Sequence, residues 1–270
     1  MSDTQSDALP PRRRAGALTP ADLATVLRAG AADFRAAPQF GLFFSAVYVV
    51  LGLALLQLGA GLFTWTLTLT LGFPLAAPFL AVGLYEVSRR RARGERPRFA
   101  DVLGVVWTER TRQIPWAGAM ILLYVLFWSF FAHLLFALFM GPSAMRGPAQ
   151  DLATYLSGAG LAMVLTELGF GGVLAFLLFA LTVVSLPMLL DRKVDVVTAM
   201  RASLRVTREN PATLILWAAI IAGATFLALL PFFLGLFVVL PVLGHASWHL
   251  YRRAEAAGAL DRTGRRVTHP

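Results

Sequence analysis

Long apolar runs separated by short polar stretches organise this chain. Six runs of 18 to 25 residues stand out: Phe40 to Leu58, Leu62 to Tyr85, Trp116 to Met140, Gly169 to Leu190, Thr213 to Leu230, and Phe232 to Tyr251. A helix that crosses a bilayer needs about 20 mostly apolar residues, so each run is predicted to be a spanning helix. None shows the strict alternation that a barrel strand requires, and strands are shorter than these runs. The last two are parted only by Pro231. One straight helix through both would be about 57 Å long, nearly twice the hydrocarbon thickness, so the chain is expected to turn at that proline.

The polar stretches carry a second pattern. A similar segment precedes the first, third and fifth runs. Thr19-Pro20-Ala21-Asp22 reads as a helix start, with a capping Thr, Pro in the first turn and an acid behind it. It leads into Leu23, Val26, Leu27 and Phe34, with Arg28, Asp33 and Arg35 among them. The second segment spaces Phe99, Val102, Leu103, Val106 and Trp107 against Asp101, Glu109, Arg110 and Arg112. The third sets Val194, Val197 and Leu204 against Arg201, Arg205 and Arg208. Each reads as an amphipathic helix lying in the membrane interface, apolar stripe toward the acyl chains. Each stops at a proline, Pro38, Pro115 or Pro211, and the second span of each pair carries another: Pro78, Pro187 or Pro241. The expected fold is therefore all-α, with six transmembrane helices arranged as three repeats of interfacial helix plus hairpin.

Composition agrees. Of 270 residues, 57% are hydrophobic and 14% charged, against about 25% charged in a soluble domain. That excludes a soluble enzyme, a disordered protein and a coiled coil. There are no cysteines, which removes disulfides, thiolate metal sites and cysteine nucleophiles. Net charge is +9, but the basic residues flank apolar runs instead of forming a basic face, so nucleic acid is not an expected partner. Their distribution gives an orientation. The N-terminal segment, the connections after the second and fourth runs, and the C-terminal segment hold 23 Lys and Arg, and the opposite side holds Arg146 alone. Basic residues remain cytoplasmic, so both termini are expected there. The expected partners are the lipid bilayer and anionic headgroups at the basic segments. Residues 1–18 read as a disordered tail, 19–253 as the membrane domain, and 254–270 as a flexible basic tail.

Ionisable groups inside spans are functional candidates by default. His133 lies in the third run with Ser129 and Ala137 one turn to either side, a small polar stripe expected to face the bundle. A second cluster gathers where the second, fourth and sixth runs end. Glu86, Asp195 and His249 lie eight residues beyond Pro78, Pro187 and Pro241, and Asp191 and His245 lie four beyond. His245 and His249 share one helical face at a spacing that can chelate a metal. Alternatively the histidines are merely wet, Asp191 caps the next helix and Glu86 pairs with Arg89 or Arg90. Nothing in the sequence names a cofactor. There is no P-loop, HExxH, GxSxG or dinucleotide-type GxGxxG. Gly169, Gly172 and Ala175, and Ala218, Ala219, Ala222 and Gly223, read as seams for close helix packing. Trp65, Trp116, Trp248 and Tyr251 read as interfacial anchors.

Certain strings resemble a bacterial family catalogued as domain of unknown function 2189, predicted integral membrane proteins. They are Thr182-Val-Val-Ser-Leu-Pro-Met-Leu-Leu-Asp191 with its continuation to Ala199, Glu209-Asn-Pro211, Val239-Leu-Pro-Val-Leu-Gly-His245-Ala-Ser-Trp-His249-Leu-Tyr251, and Gly83-Leu-Tyr-Glu86. The resemblance implies a six-span inner-membrane protein and carries over no catalytic residue. On these grounds the chain is expected to be a non-enzymatic structural or interaction component of the membrane. The alternatives are a small-solute or lipid transporter or channel, and a metal-dependent membrane enzyme built on His245, His249 and the neighbouring acids.

Overall fold

The computed structural model describes residues 17–57, 73–141 and 152–260. Among these residues the structure is helical throughout: α1 (Pro20–Ala36), α2 (Pro38–Gln57), α3 (Phe73–Ala92), α4 (Phe99–Glu109), α5 (Ile114–Met140), α6 (Leu152–Tyr155), α7 (Gly158–Thr182), α8 (Ser185–Asp191), α9 (Val196–Glu209), α10 (Pro211–Leu229) and α11 (Leu236–Ala256). The expected tail before residue 17, the start of the second apolar run with Trp65, Arg146 and the end of the C-terminal tail lie outside the described residues.

Among the described residues, four stretches are long and apolar enough to cross a membrane: Pro38–Gln57, Ile114–Met140, Gly158–Asp191 and Pro211–Leu229. Their outer faces carry large apolar side chains that no protein covers, among them Phe130 at 72% exposure, Val173 at 67% and Phe226 at 63%. A soluble monomer rarely presents apolar patches on this scale, and a bilayer accommodates them. The second and sixth expected spans are not among the four. The first half of the second, residues 62–72, lies outside the described residues. The sixth falls on α11, whose 21 residues are long enough but include His245, His249, Arg252, Arg253 and Glu255.

The local breaks follow the predicted chemistry. At the start of α1, the Thr19 backbone N–H and hydroxyl both donate to Asp22 Oδ2, each at 2.8 Å. Prolines open α2 and α10 and sit in the first turn of α5, where a missing N–H costs nothing. The chain turns between α10 and α11, as Pro231 suggested. Phe232 and Phe233 adopt φ of 50° and 67° there, a left-handed conformation that bulky residues rarely take. There the Phe233 ring lies against Gly52 of α2.

A hydroxyl, with a proline nearby, accounts for the break between α7 and α8. Pro187 has no N–H to return to residue 183. Just before it, Val184 N–H donates to Ser203 Oγ at 3.1 Å, and Ser203 Oγ–H donates to the Ala180 carbonyl at 2.7 Å. The serine of α9 is thus spliced into the ladder of another helix, a recognised origin of kinks.

Packing reverses part of the interfacial-helix expectation. Leu23, Val26, Gly30 and Asp33 recur at three- and four-residue spacing on one face of α1, and all four are buried. That face lies on α11, its principal partner, instead of in lipid. Val196, Met200, Ser203 and Val206 of α9 are likewise buried, against α7 and α8. Only α4 leaves an apolar stripe open, with Phe99, Leu103 and Trp107 at 40%, 39% and 65% exposure. It packs on α3. Between the longer helices, α3 meets α5, α7 meets α10 and α11 meets α2, while α3, α8 and α11 touch one another pairwise.

Two further expectations are corrected. Trp248 and Tyr251 are core residues, not interfacial anchors: both are buried, and Trp248 stacks on Tyr85 with centroids 6.5 Å apart. Trp116 is exposed. The proposed small-residue seams also fail, since Gly169, Gly172 and Gly223 face open space. The close approach falls at Gly30, where a Cβ would stand 2.6 Å from the Val242 carbonyl and 2.7 Å from Ala246 N. Those are backbone atoms of α11, so only glycine lets the two helices lie this near. The packed chain also extends past both expected domain limits, because Leu18, Ala259 and Leu260 are buried in the core. Leu18 is fixed by its N–H to Asn210 Oδ1 at 2.7 Å and by Thr213 Oγ to its carbonyl at 2.9 Å.

Gly30→Ala should therefore lift α1 off α11 and destabilise the protein by about 1–3 kcal/mol. Thermal unfolding in detergent measures it, and Gly223→Ala, facing open space, should leave the midpoint unchanged.

Candidate functional site

The arginine-rich ends of α3, α8 and α11 converge, and the residues singled out there do come together at one end of the bundle. They do so as separate pairs. Glu86, 1% exposed, is held by Arg89 Nη2 at 2.5 Å and Arg90 Nε at 2.7 Å, the pairing expected one turn along a helix. Asp191 accepts from the Tyr251 hydroxyl at 2.9 Å and faces Arg252. It does not cap the following helix. Asp195 does, accepting from Thr198 N–H at 2.9 Å, and this exposed carboxyl stands below its usual pKa because the Thr198 side-chain and backbone hydrogen bonds favour its charged form. His245 is fully buried, with Nδ1 2.8 Å from Ser88 Oγ. His249, one turn on, has Nε2 2.8 Å from Asp33 Oδ2. The two imidazoles thus have different partners.

The centre of this network is Asp33. Its Oδ1 accepts from Arg91 Nε at 2.8 Å, its Oδ2 meets His249, and Ser88 also bonds to it. Burial pushes its pKa up, but the hydrogen bonds from His249, Arg91 and Ser88 outweigh that and hold the carboxyl at about 2. One carboxylate on α1 therefore binds α3 through Arg91 and Ser88, and α11 through His249. At the other end of α1, Arg253 Nε donates to Asp22 Oδ1 at 2.9 Å. Burial raises the Asp22 pKa, but hydrogen bonds from Thr19 and Arg253 leave it lowered overall.

The three converging ends are also tied in a triangle. Arg89 Nη1 donates to the Leu190 carbonyl at 3.3 Å, linking α3 to α8. Tyr251 to Asp191, and Arg192 to Glu255 at 2.6 Å, link α8 to α11. His245 and Ser88 link α11 to α3.

Sequence reading placed Glu86, Asp191, His245 and His249 in the right region and missed Asp33, Ser88 and Tyr251. Asp33 was grouped with the polar positions of α1, yet it falls on the same buried face as Leu23, Val26 and Gly30. That spacing was the available signal: an acid in register with an apolar stripe must be paired. Among the described residues, no group of three or more His, Asp or Glu side chains could hold a metal ion. His133 does not face the bundle. It is exposed on α5, and its Nδ1 lies 2.6 Å from the carbonyl of Ser129 on its own helix. The polar bond that does cross between α5 and α7 runs from Tyr124 Oη to the Leu174 carbonyl at 2.7 Å.

Helices with lipid-sized exposed apolar faces, closed at one end by ion pairs, define a polytopic integral membrane protein. Residues 66–191 match the model of the family described as "Predicted integral membrane protein (DUF2189)", the family that the sequence resembles. The Gly83–Glu86 string and the Thr182–Asp191 part of the longest string fall inside the match. No curated protein and no solved structure matches the chain.

Asp33 sets a pH dependence. Its folded pKa lies below the ordinary value of 3.8, so its stabilisation is complete above pH about 4 and is lost as pH falls toward about 2. Asp22 acts in the same direction. Asp33→Asn should destabilise the protein at neutral pH by about 2–3 kcal/mol. It should also flatten part of the acid limb of thermal stability measured in detergent.

Proposed function

We propose that this protein is a non-enzymatic structural or interaction component of a bacterial inner membrane, crossing it six times with both termini in the cytoplasm. The observation that carries the non-enzymatic reading is the use made of the ionisable groups: Glu86, Asp191, His249 and Asp33 are each engaged in tying one helix to another or to its own flank. A reaction centre would leave a polar group directed toward a substrate. The orientation is supported by the imbalance of 23 basic residues to one, which would put the paired end at the cytoplasmic face.

The six-span count and the three-unit plan are supported by the order of contacts. With units of α1–α2–α3, α4–α5–α7/α8 and α9–α10–α11, each leading helix packs on the last helix of the unit before it, and α1 packs on that of the third. The last helix of each unit also meets the first span of the next. In this plan α3 and α11 are spans that end in charge. Tyr85 and Trp248, stacked on each other, lie seven residues beyond Pro78 and Pro241.

Anionic headgroups are proposed partners of the basic segments. The open stripe of α4 supports this: Phe99, Leu103 and Trp107 stand beside Arg98 and Arg110, and the Arg110 guanidinium lies 3.4 Å from the Trp107 ring centroid. Such a face suits the boundary between acyl chains and phosphates.

Two measurements test the reading. A reporter active only in the periplasm should be silent when fused at either terminus and active when inserted between α5 and α6. Asp191→Asn and His249→Gln, each present at normal protein level, should restore a deletion strain fully. Lost rescue by well-folded protein would instead indicate chemistry at these groups.

A further inference from the structure

A cleft of about 230 Å³ opens between α2, α3, α10 and α11, reaching at Leu84, Gly244 and Ser247 to the edge of the arginine-rich network. Phe44, Leu80, Ala81 and Leu243 are among the apolar residues of its wall. Apolar cavities of about 150 Å³ already take up a molecule the size of benzene, so this one has room for a ligand. Its polar groups are the hydroxyls of Ser45, Tyr48, Thr225 and Ser247, set in an otherwise apolar wall.

Among these hydroxyls Ser45 stands apart. It lines the cleft, is 1% exposed, and its hydroxyl has no hydrogen-bond partner among the described residues. A serine within a helix commonly returns its O–H to the carbonyl four residues earlier. Ser185 and Ser247 do so here, with Ser247 Oγ donating to the Leu243 carbonyl at 2.8 Å. Ser45 does not, and an unmet hydroxyl in apolar surroundings is costly. It stands seven residues beyond Pro38, about 10 Å along α2, inside a candidate span. Thr225 of α10, also a span residue, lines the same cleft. The solvent at that depth is lipid, and the molecules present in it are chains with a carbonyl or hydroxyl group.

We propose that the cleft between α2, α3, α10 and α11 binds the apolar chain of a membrane amphiphile, with a carbonyl or hydroxyl group of that molecule hydrogen-bonded to Ser45 Oγ. The site goes beyond the structural role proposed above and would hold whether or not that role is correct, since it requires only that α2 and α10 lie in lipid.

A long-chain fatty acid bearing a photoactivatable diazirine, added to the full-length protein in detergent–lipid micelles, tests it. After irradiation, mass spectrometry should place the adducts on cleft residues, Ser45, Tyr48 and Thr225 first, with unlabelled fatty acid competing them away. Ala81→Phe fills the cleft and should reduce that labelling to background. Ser45→Ala removes only the hydroxyl and should weaken capture about fivefold, the loss of one hydrogen bond. Val173→Ala, on the exposed face of α7, should change nothing. Adducts spread evenly over exposed residues such as Phe130 and Phe226 would overturn the proposal. So would capture by Ser45→Ala equal to that of the native protein, an outcome that stands even if Ala81→Phe does not fold.

Discussion

A carboxylate placed on a buried helix face must find cations or donors, because its desolvation is otherwise too costly. Asp33 meets that demand with three groups on two other helices: Arg91, Ser88 and His249. The demand organises the arginine-rich end of the protein. It fixes where α1 lies, and α1 in turn covers α11 along the line where Gly30 admits backbone to backbone contact. Within lipid there is little hydrophobic drive for helices to associate, so close packing and polar links carry more of the burden. Here the polar links are concentrated at one end, and the faces of α5, α7 and α10 turned outward are left to the acyl chains.

The fold class was legible because length and apolarity are one-dimensional properties. Runs of 18 residues or more, prolines at helix starts and a Thr-Pro-x-Asp cap can all be read without knowing what packs on what. The direction in which a face points cannot. Leu23 and Val26 have the same spacing whether their stripe meets lipid or α11, and only the identity of the partner decides. The same limit explains Trp248 and Tyr251, whose amphipathic rings suit an interface and equally suit a core with a polar neighbour, which Tyr251 finds in Asp191. It explains the glycines too. Gly169 and Gly172 have the spacing of a packing seam and face open space, while Gly30, unremarkable in its own sequence context, sits where α1 meets the backbone of α11.

The candidate site was half legible for a related reason. Counting from Pro78, Pro187 and Pro241 brings Glu86, Asp191, Asp195, His245 and His249 to similar depths, and all but Asp195 do gather at one end. Counting says nothing of azimuth, however. His245 and His249 share a face of α11, yet one reaches Ser88 and the other Asp33. Asp195 leaves the group because it has the more local task of capping α9. Asp33 was hidden because it comes from the first helix, more than 200 residues from His249, and no local pattern joins positions so far apart.

The splice at Ser203 bears on how the protein is made. The N–H of Val184 and the carbonyl of Ala180 belong to the fourth apolar run, but the hydroxyl that satisfies both arrives on α9. During synthesis those two groups emerge first and stay unmet until about twenty further residues have followed. Unmet backbone groups are poorly tolerated in hydrocarbon. The fourth run would therefore remain beside the insertion machinery, or in contact with water, until α9 folds against it. Biogenesis of this segment is then a joint event in which a later helix completes an earlier one.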